Sequence, residues 1–163
     1  MRKFRYCPHC RRLLLRGIIE ERVRSYCSKC GFIHYINPIP SVAMIVENNG
    51  RYLLIKRGIE PGKGTWAPPS GFIEADETME EACIRELREE TGFDGVVKRL
   101  LDIYYEKSKI HGDVLVIAYL VDIVGGSLKP GDDAIDAKFF EYDNLPEIHF
   151  NSFRKALKMT FEI

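Results

Sequence analysis

Within GFIEADETMEEACIRELREETGF, residues 71–93, three glutamates fall in one turn of an expected helix: Glu86, Glu89 and Glu90. Glu86 and Glu90 are like charges at i and i+4, which costs roughly 0.2–0.5 kcal/mol on an exposed helix and more on an enclosed one. A cation beside them removes that cost. Arg85 and Arg88 are candidates, but ordinary surface helices intersperse the two signs and do not converge carboxylates beside a loop rich in Gly and Pro. Hard divalent cations take oxygen ligands and keep water and phosphate in their remaining positions, so Mg²⁺ or Mn²⁺ fits the cluster better. A merely solvated acidic face is the alternative.

A second chemistry-bearing set lies near the start. CPHC spans Cys7 to Cys10 and CSKC spans Cys27 to Cys30, with sixteen residues between the pairs. This is zinc-ribbon spacing: each C-x-x-C forms a tight knuckle presenting two thiolates, and a hairpin between them brings the knuckles together around one tetrahedral ion. Four thiolates leave no position for water, so the expected Zn²⁺ is structural, standing in for a core that so short a segment cannot build. Two disulfides are the competing reading, disfavoured for an intracellular chain. His9 and His34 are left out because the cysteines complete the site. Cys83 falls on the apolar face of the acidic helix and reads as a buried free thiol.

The elements that position these residues are legible in outline. Asn37-Pro38-Ile39-Pro40 reads as a rigid connector, giving a ribbon over residues 1–36 and a main domain over 37–163. SVAMIVENNGRYLLIKR reads as two strands joined at Asn49-Gly50, a dipeptide that tolerates the left-handed conformations of a tight hairpin turn. A loop, EPGKGTWAPPSG, leads to the helix, for which Thr78 with Glu81 predicts a capping box and Gly92 a C-terminal stop. Met79, Cys83 and Leu87, with Ile84 alongside, predict the stripe that seats the helix on a sheet. Val114–Val121 reads as a buried strand, too short to span a bilayer. Near the end, Asn151 or Ser152 can cap a helix whose packing face is Phe153, Ala156, Leu157 and Phe161.

The chain has 163 residues, 45% of them hydrophobic, enough for one catalytic domain and a small appendage. Its formal charge of zero hides an asymmetry. Residues 1–40 hold nine Lys/Arg against two acids, and the remainder holds fifteen against twenty-two. Basic side chains from Arg2 and Lys3 through Arg5, Arg11, Arg12, Arg16, Arg22 and Arg24 can face polyphosphate, nucleic acid or an acidic neighbour. No apolar leader is evident, so the expectation is a soluble cytoplasmic protein without a membrane association.

Gly71, Glu77 and the run Arg85-Glu86-Leu87-Arg88-Glu89-Glu90-Thr91-Gly92-Phe93 fill every specified position of the pattern G-x5-E-x7-R-E-U-x-E-E-x-G-U, where U is a bulky apolar residue. The chain thereby resembles the Nudix hydrolases. The resemblance implies an α/β fold, an α/β/α sandwich with a mixed sheet, and metal-dependent hydrolysis of a nucleoside diphosphate linked to another group, X. It implies that Glu86, Glu89, Glu90 and the Ser70 carbonyl bind Mg²⁺ or Mn²⁺. It also implies that Arg85 pairs with Glu77 to hold helix and loop in register, and that Glu86 or Glu89 is the base. A later acid often joins the set; of Asp132, Asp133 and Asp136, Asp133 matches best, while turn-forming aspartates are the plainer reading. Trp66, Phe72, Tyr104 and Tyr105 are candidates to stack a base, with Trp66, Phe72 and Tyr105 preferred, though each type more often packs in cores.

A zinc ribbon before a Nudix box, joined by YINP (Tyr35 to Pro38), is similar to the layout of NADH pyrophosphatases. Their Ser-Gln-Pro-Trp-Pro-Phe-Pro signature is absent: Leu101 to Asp113 reads LDIYYEKSKIHGD. The expected substrates are therefore ADP-ribose-like compounds first and nucleoside triphosphates second. A nucleotide- or nucleic-acid-binding regulator using the basic ribbon, or a hydrolase of RNA 5′ ends, is the rival reading. A homodimer is implied by the related architecture.

Overall fold

A computed structural model describes residues 4–161; Arg2, Lys3 and the side chain of Phe161 lie outside the described residues. The chain divides into two compact units, Met1–Pro38 and Ile39–Ile163.

The first unit is a three-stranded antiparallel sheet of β1 (Leu15–Ile19), β2 (Arg22–Tyr26) and β3 (Ile33–His34). Its β1–β2 hairpin turns at Glu20 and Glu21, both with positive φ. The two cysteine pairs are built alike. Arg11 N–H donates to the Cys7 carbonyl and Gly31 N–H to that of Cys27, each from a left-handed residue, while the N–H groups of Cys7 and Cys27 donate to Arg12 and Phe32. Leu13, Leu15, Ile18 and Val23 stay exposed, so this unit has little apolar interior of its own.

In the second unit the expected hairpin is divided. β4 (Ile39–Ile45) ends before Val46, and the chain continues as β5 (Glu47–Asn48), which pairs with β6 (Arg51–Arg57) across Asn49-Gly50, both at positive φ. β7 (Trp66–Ala67) and β8 (Ser70–Phe72) follow, then α1 (Met79–Thr91), the long strands β9 (Phe93–Ser108) and β10 (Gly112–Gly126), β11 (Ala134–Glu141) and α2 (Asn151–Phe161). Two sheets result. One is mixed, in the order β8-β4-β10-β9 with β4 and β10 parallel; the other is antiparallel, β11-β6-β5, with β7 on β6.

Strand alternation assigns the layers. Val42, Met44 and Val46 pack with Ala82, Cys83 and Leu87 of α1, whereas Ala43 and Ile45 pack with Phe153, Ala156 and Leu157 of α2. The result is an α/β/α sandwich. α1 runs between its capping box and Gly92 at φ 74°. Its stripe differs from expectation at the first position: Met79 is exposed and Ala82 takes the buried place, because the helix seats itself one turn later.

Candidate active site

The mixed sheet forms the floor of a cavity of about 330 Å³. Phe72 on β8, Ser41 on β4 and Val116 on β10 lie abreast, and Val114 on β10 faces Glu106 on β9. All five line the cavity, so its floor crosses all four strands.

Glu86 and Glu90 enter from α1 at the β8 end. Gly71 makes room for the first: a Cβ there would stand 2.0 Å from the Glu86 carboxyl carbon. Glu90 is 3% exposed, and its Oε2 accepts the Ser70 N–H at 2.8 Å. Burial raises the pKa of both carboxyls, that of Glu90 to about 8, with the charges of Glu86 and Asp133 adding to the effect and the Ser70 N–H and Arg57 opposing it.

Arg85 organises the outer side of this cluster. Its Nε and Nη2 grip both Glu77 oxygens at 3.0 and 2.6 Å, Nη2 also reaches the Phe72 carbonyl, and Nη1 donates to Glu86 Oε1 at 2.7 Å and Glu89 Oε2 at 3.1 Å. The Arg85 guanidinium, aided by the Glu74 N–H, holds the Glu77 carboxyl down at about 2. Helix, loop and the aim of Glu86 are thereby tied together. Glu86 Oε2 is left without a partner among the described residues.

The loop of residues 127–133 closes the α1 end. Ser127, Lys129 and Gly131 donate their N–H groups to the carbonyls of Gly92, Thr91 and Glu90, so the loop takes up the open end of the helix. A Cβ at Gly131 would meet the Glu89 carbonyl oxygen at 2.6 Å. The Asp133 carbonyl then accepts the Gly58 N–H, and Asp132 and Asp133 both reach the cavity wall.

Among the candidates named from sequence, the cavity brings together Glu86, Glu90, Ser70, Asp133 and Phe72. Glu89 lines a shallow groove on the outer face of α1 with Glu81, Ile84 and Arg88 instead. Trp66 packs edge-on against Phe140, and Tyr105 is exposed with its hydroxyl on Asp113, so neither lines the cavity. For Ser70 the bond in hand is its N–H to Glu90, which pins β8 to the helix.

Sequence reasoning missed four contributors: Arg57, Glu106, Phe150 and Ser152. Arg57 ends β6, holds the Pro61 carbonyl through Nε at 2.8 Å and sits over the Phe150 ring. Its Nη groups have no partner among the described residues, and burial lowers its pKa against the pull of Glu90, Asp133 and Glu60. The signal available was a basic residue closing an apolar strand at the mouth of a Gly/Pro loop.

These groups have the character of a divalent-cation site. Burial raises both carboxyls, Glu86 raises Glu90 further, and Glu89 and Asp132 raise Glu86; a hard cation joining them removes that penalty, and Asp132 and Asp133 line the same cavity. This has a measurable consequence. Because the folded pKa of Glu90 lies above its ordinary 4.5, its contribution to stability is complete below that value and lost as pH rises to about 8. The metal-free protein should melt at progressively lower temperature across that window, and saturating Mg²⁺ should flatten the slope. A metal-free melting curve independent of pH there would contradict this electrostatic account.

In the first unit the sulfurs of Cys7, Cys10, Cys27 and Cys30 lie within 4.8 Å of one another, with Cys7–Cys30 and Cys10–Cys27 at 3.5 and 3.4 Å. A tetrahedral ion with bonds of about 2.3 Å requires sulfurs about 3.8 Å apart, so the quartet is shaped to hold one. The Cys30 N–H draws the Cys27 thiol down to about 6 against the effect of burial, with the Lys29 N–H assisting. His9 and His34 make ring contacts with Phe32 and Phe4.

Comparison with known proteins agrees with this geometry. Residues 37–159 match the family described as NUDIX domain. The chain belongs to that family and is a Nudix hydrolase. It is 45% identical over 118 residues to an ADP-ribose pyrophosphatase of Methanocaldococcus jannaschii, covering 72% of this chain and 70% of that one. It is 30% identical over 147 residues to the NAD-capped RNA hydrolase NudC of Vibrio atlanticus, covering 88% of this chain but 52% of that protein, so it spans about half the length of that relative. A NUDIX hydrolase from Nitrosomonas europaea superposes with a TM-score of 0.84 at 28% identity, covering 96% of this chain and 91% of that one.

Proposed function

We propose that the protein hydrolyses ADP-ribose or a closely similar nucleoside diphosphate linked to X, splitting the pyrophosphate into two monophosphates. The observation that carries this reading is the single cavity with paired carboxylates and Arg57 at one end and an apolar floor beyond them. The similarity to the ADP-ribose pyrophosphatase supports the choice of substrate.

In this reading Glu86 and Glu90, with Asp133 from the loop and the Ser70 backbone, hold Mg²⁺ or Mn²⁺, and Glu89 joins from the outer face of the helix. A divalent ion held by these residues would supply charge neutralisation of the phosphate oxygens and a water of lowered pKa for attack on phosphorus. Glu86, held through Oε1 by Arg85, takes the water's proton on Oε2. Arg57 offers its unpaired Nη groups to the phosphate left behind, and its anchor on the Pro61 carbonyl keeps it aimed. Arg85 and Glu77 position Glu86 and do not touch substrate. Phe72 packs beside the substrate, while Trp66 and Tyr105 are left to packing and surface roles. The four cysteines hold Zn²⁺ structurally.

The rest of the setting belongs to the same proposal. The protein works in the cytoplasm; among the described residues no helix is long and apolar enough to cross a membrane. A homodimer is supported by Val96, Leu100 and Ile103, exposed on the edge strand β9.

The match to NudC extends over 88% of this chain, which favours NAD-capped RNA as the second candidate substrate. Arg5, Arg11, Arg12, Arg16 and Arg22 are exposed on the ribbon, whereas Arg24 is engaged with Glu20 and Tyr35. Measured side by side with Mg²⁺, kcat/KM for ADP-ribose should exceed those for NAD-capped RNA and nucleoside triphosphates by at least about tenfold, the worth of one or two well-made contacts. A higher value for the capped RNA would transfer the assignment to RNA ends.

A further inference from the structure

The β9 end of the cavity carries two polar groups that the hydrolytic machinery does not use. Glu106 accepts the Ser152 N–H on Oε2 at 3.1 Å, so a strand side chain serves the first turn of α2. Its other oxygen, Oε1, has no partner among the described residues. Ser152 is 3% exposed, and its Oγ is one of two buried side-chain polar atoms among the described residues that lack a hydrogen bond. Both residues line the cavity. A buried hydroxyl without a partner is unfavourable, and native proteins keep one chiefly where something else completes it.

Position says what completes it. Three strand-to-strand steps separate β8, beside the carboxylates, from β9, which at the usual spacing is roughly 14 Å. A nucleoside diphosphate with its phosphates at Glu86, Glu90 and Arg57 therefore extends its base toward Glu106. Apolar walls wait there: Val114 and Val116 below, and Phe150 and Phe153, whose rings meet edge-on at 5.3 Å, beside. A flat aromatic ring suits such walls, and its polar edge must meet hydrogen-bonding groups.

We propose that Glu106 and Ser152 read the nucleobase, Glu106 Oε1 accepting its exocyclic amine and Ser152 Oγ–H donating to the adjacent ring nitrogen. The pair selects an edge with an amine beside an unprotonated nitrogen. Adenine and cytosine present that edge; hypoxanthine and uracil present a carbonyl beside an N–H and would set a carbonyl against the carboxylate. This assignment rests on the hydrolase reading for the direction in which the substrate lies.

The test compares kcat/KM for ADP-, IDP-, CDP- and UDP-ribose on the wild type, Glu106→Gln and Ser152→Ala. The glutamine keeps an oxygen for the Ser152 N–H and puts an amide donor where Oε1 stood. The alanine removes only the hydroxyl. The wild type should prefer ADP-ribose over IDP-ribose by roughly 10²-fold or more, as sites built around a specific hydrogen bond do. Glu106→Gln should reverse the order of those two, and Ser152→Ala should lose about tenfold on ADP-ribose while changing IDP-ribose less. CDP-ribose turned over as well as ADP-ribose would assign the amine edge alone; a poor CDP-ribose would add the purine ring to the requirement. Equal rates for ADP- and IDP-ribose, unaltered by Glu106→Gln, would overturn base reading and leave the hydrolase standing. If no ribose compound turns over, the ADP-ribose reading falls, and calorimetric titration with ADP and IDP decides the base question separately: equal affinities overturn it.

Discussion

Glu86→Gln should lower kcat on ADP-ribose by roughly 10²- to 10⁴-fold while leaving the fold intact or firmer. The range is that of a lost general base, and the loss of a ligand charge adds to it. The exchange is nearly isosteric, so the space that Gly71 leaves is filled as before and Arg85 Nη1 can still donate to the amide oxygen. What disappears is a negative charge that burial and Glu89 disfavour in the folded chain. The metal-free variant should therefore melt at the same temperature as the wild type or above it at neutral pH. Opposite movements of activity and stability separate a functional carboxylate from a structural one. A variant that keeps its turnover, or one that loses turnover only because it unfolds, would remove Glu86 from the chemistry.

Cys27→Ser should release the metal of the first unit and unfold it. Cys27 is 1% exposed, its sulfur stands 3.4 Å from that of Cys10, and backbone N–H groups are already aimed at it. Structural zinc in comparable peptides contributes on the order of 10–16 kcal/mol of folding free energy, and a sheet that exposes Leu13, Leu15, Ile18 and Val23 has nothing to replace it. Elemental analysis should find one zinc per wild-type chain and none in the variant, and limited proteolysis should remove the N-terminal segment first. Hydrolysis should persist in the remainder, because every residue lining the cavity lies between Ser41 and Phe153. A wild-type protein without zinc, or a variant whose ribbon resists protease, would contradict a metal-held fold.

What could be read in advance divides by the range of the interactions. α1 was legible to the residue because its limits are local: Thr78 and Glu81 are one turn apart, and Gly92 needs only its own left-handed φ. The cysteine quartet was legible because two tight knuckles and a hairpin are also local. The division of the first hairpin at Val46 was not. Both faces of β4 are buried, so Val42 to Val46 reads as one uninterrupted apolar run whichever sheet it serves. Met79 matched the helical period but sits exposed in the first turn, where its sulfur meets the Tyr119 hydroxyl and not the apolar core. Glu106 and Ser152 are 46 residues apart in sequence, and only the packing of α2 over β9 brings them to one bond. That helix was expected simply to cover the sheet. Phe153, Ala156 and Leu157 do cover it, while Ser152 and Phe153 also line the cavity.

The central claim is hydrolysis of a phosphoric anhydride by water at the carboxylate end of the cavity. Its most direct test is to incubate the wild-type protein with ADP-ribose and Mg²⁺ in ¹⁸O-enriched water and identify the products. The account predicts AMP and ribose 5-phosphate in equal amounts, one of them carrying a single heavy oxygen on phosphorus, and no products when Mg²⁺ is withheld. Recovery of intact ADP-ribose after binding has been verified under the same conditions would contradict it and leave a protein that holds the nucleotide without cleaving it.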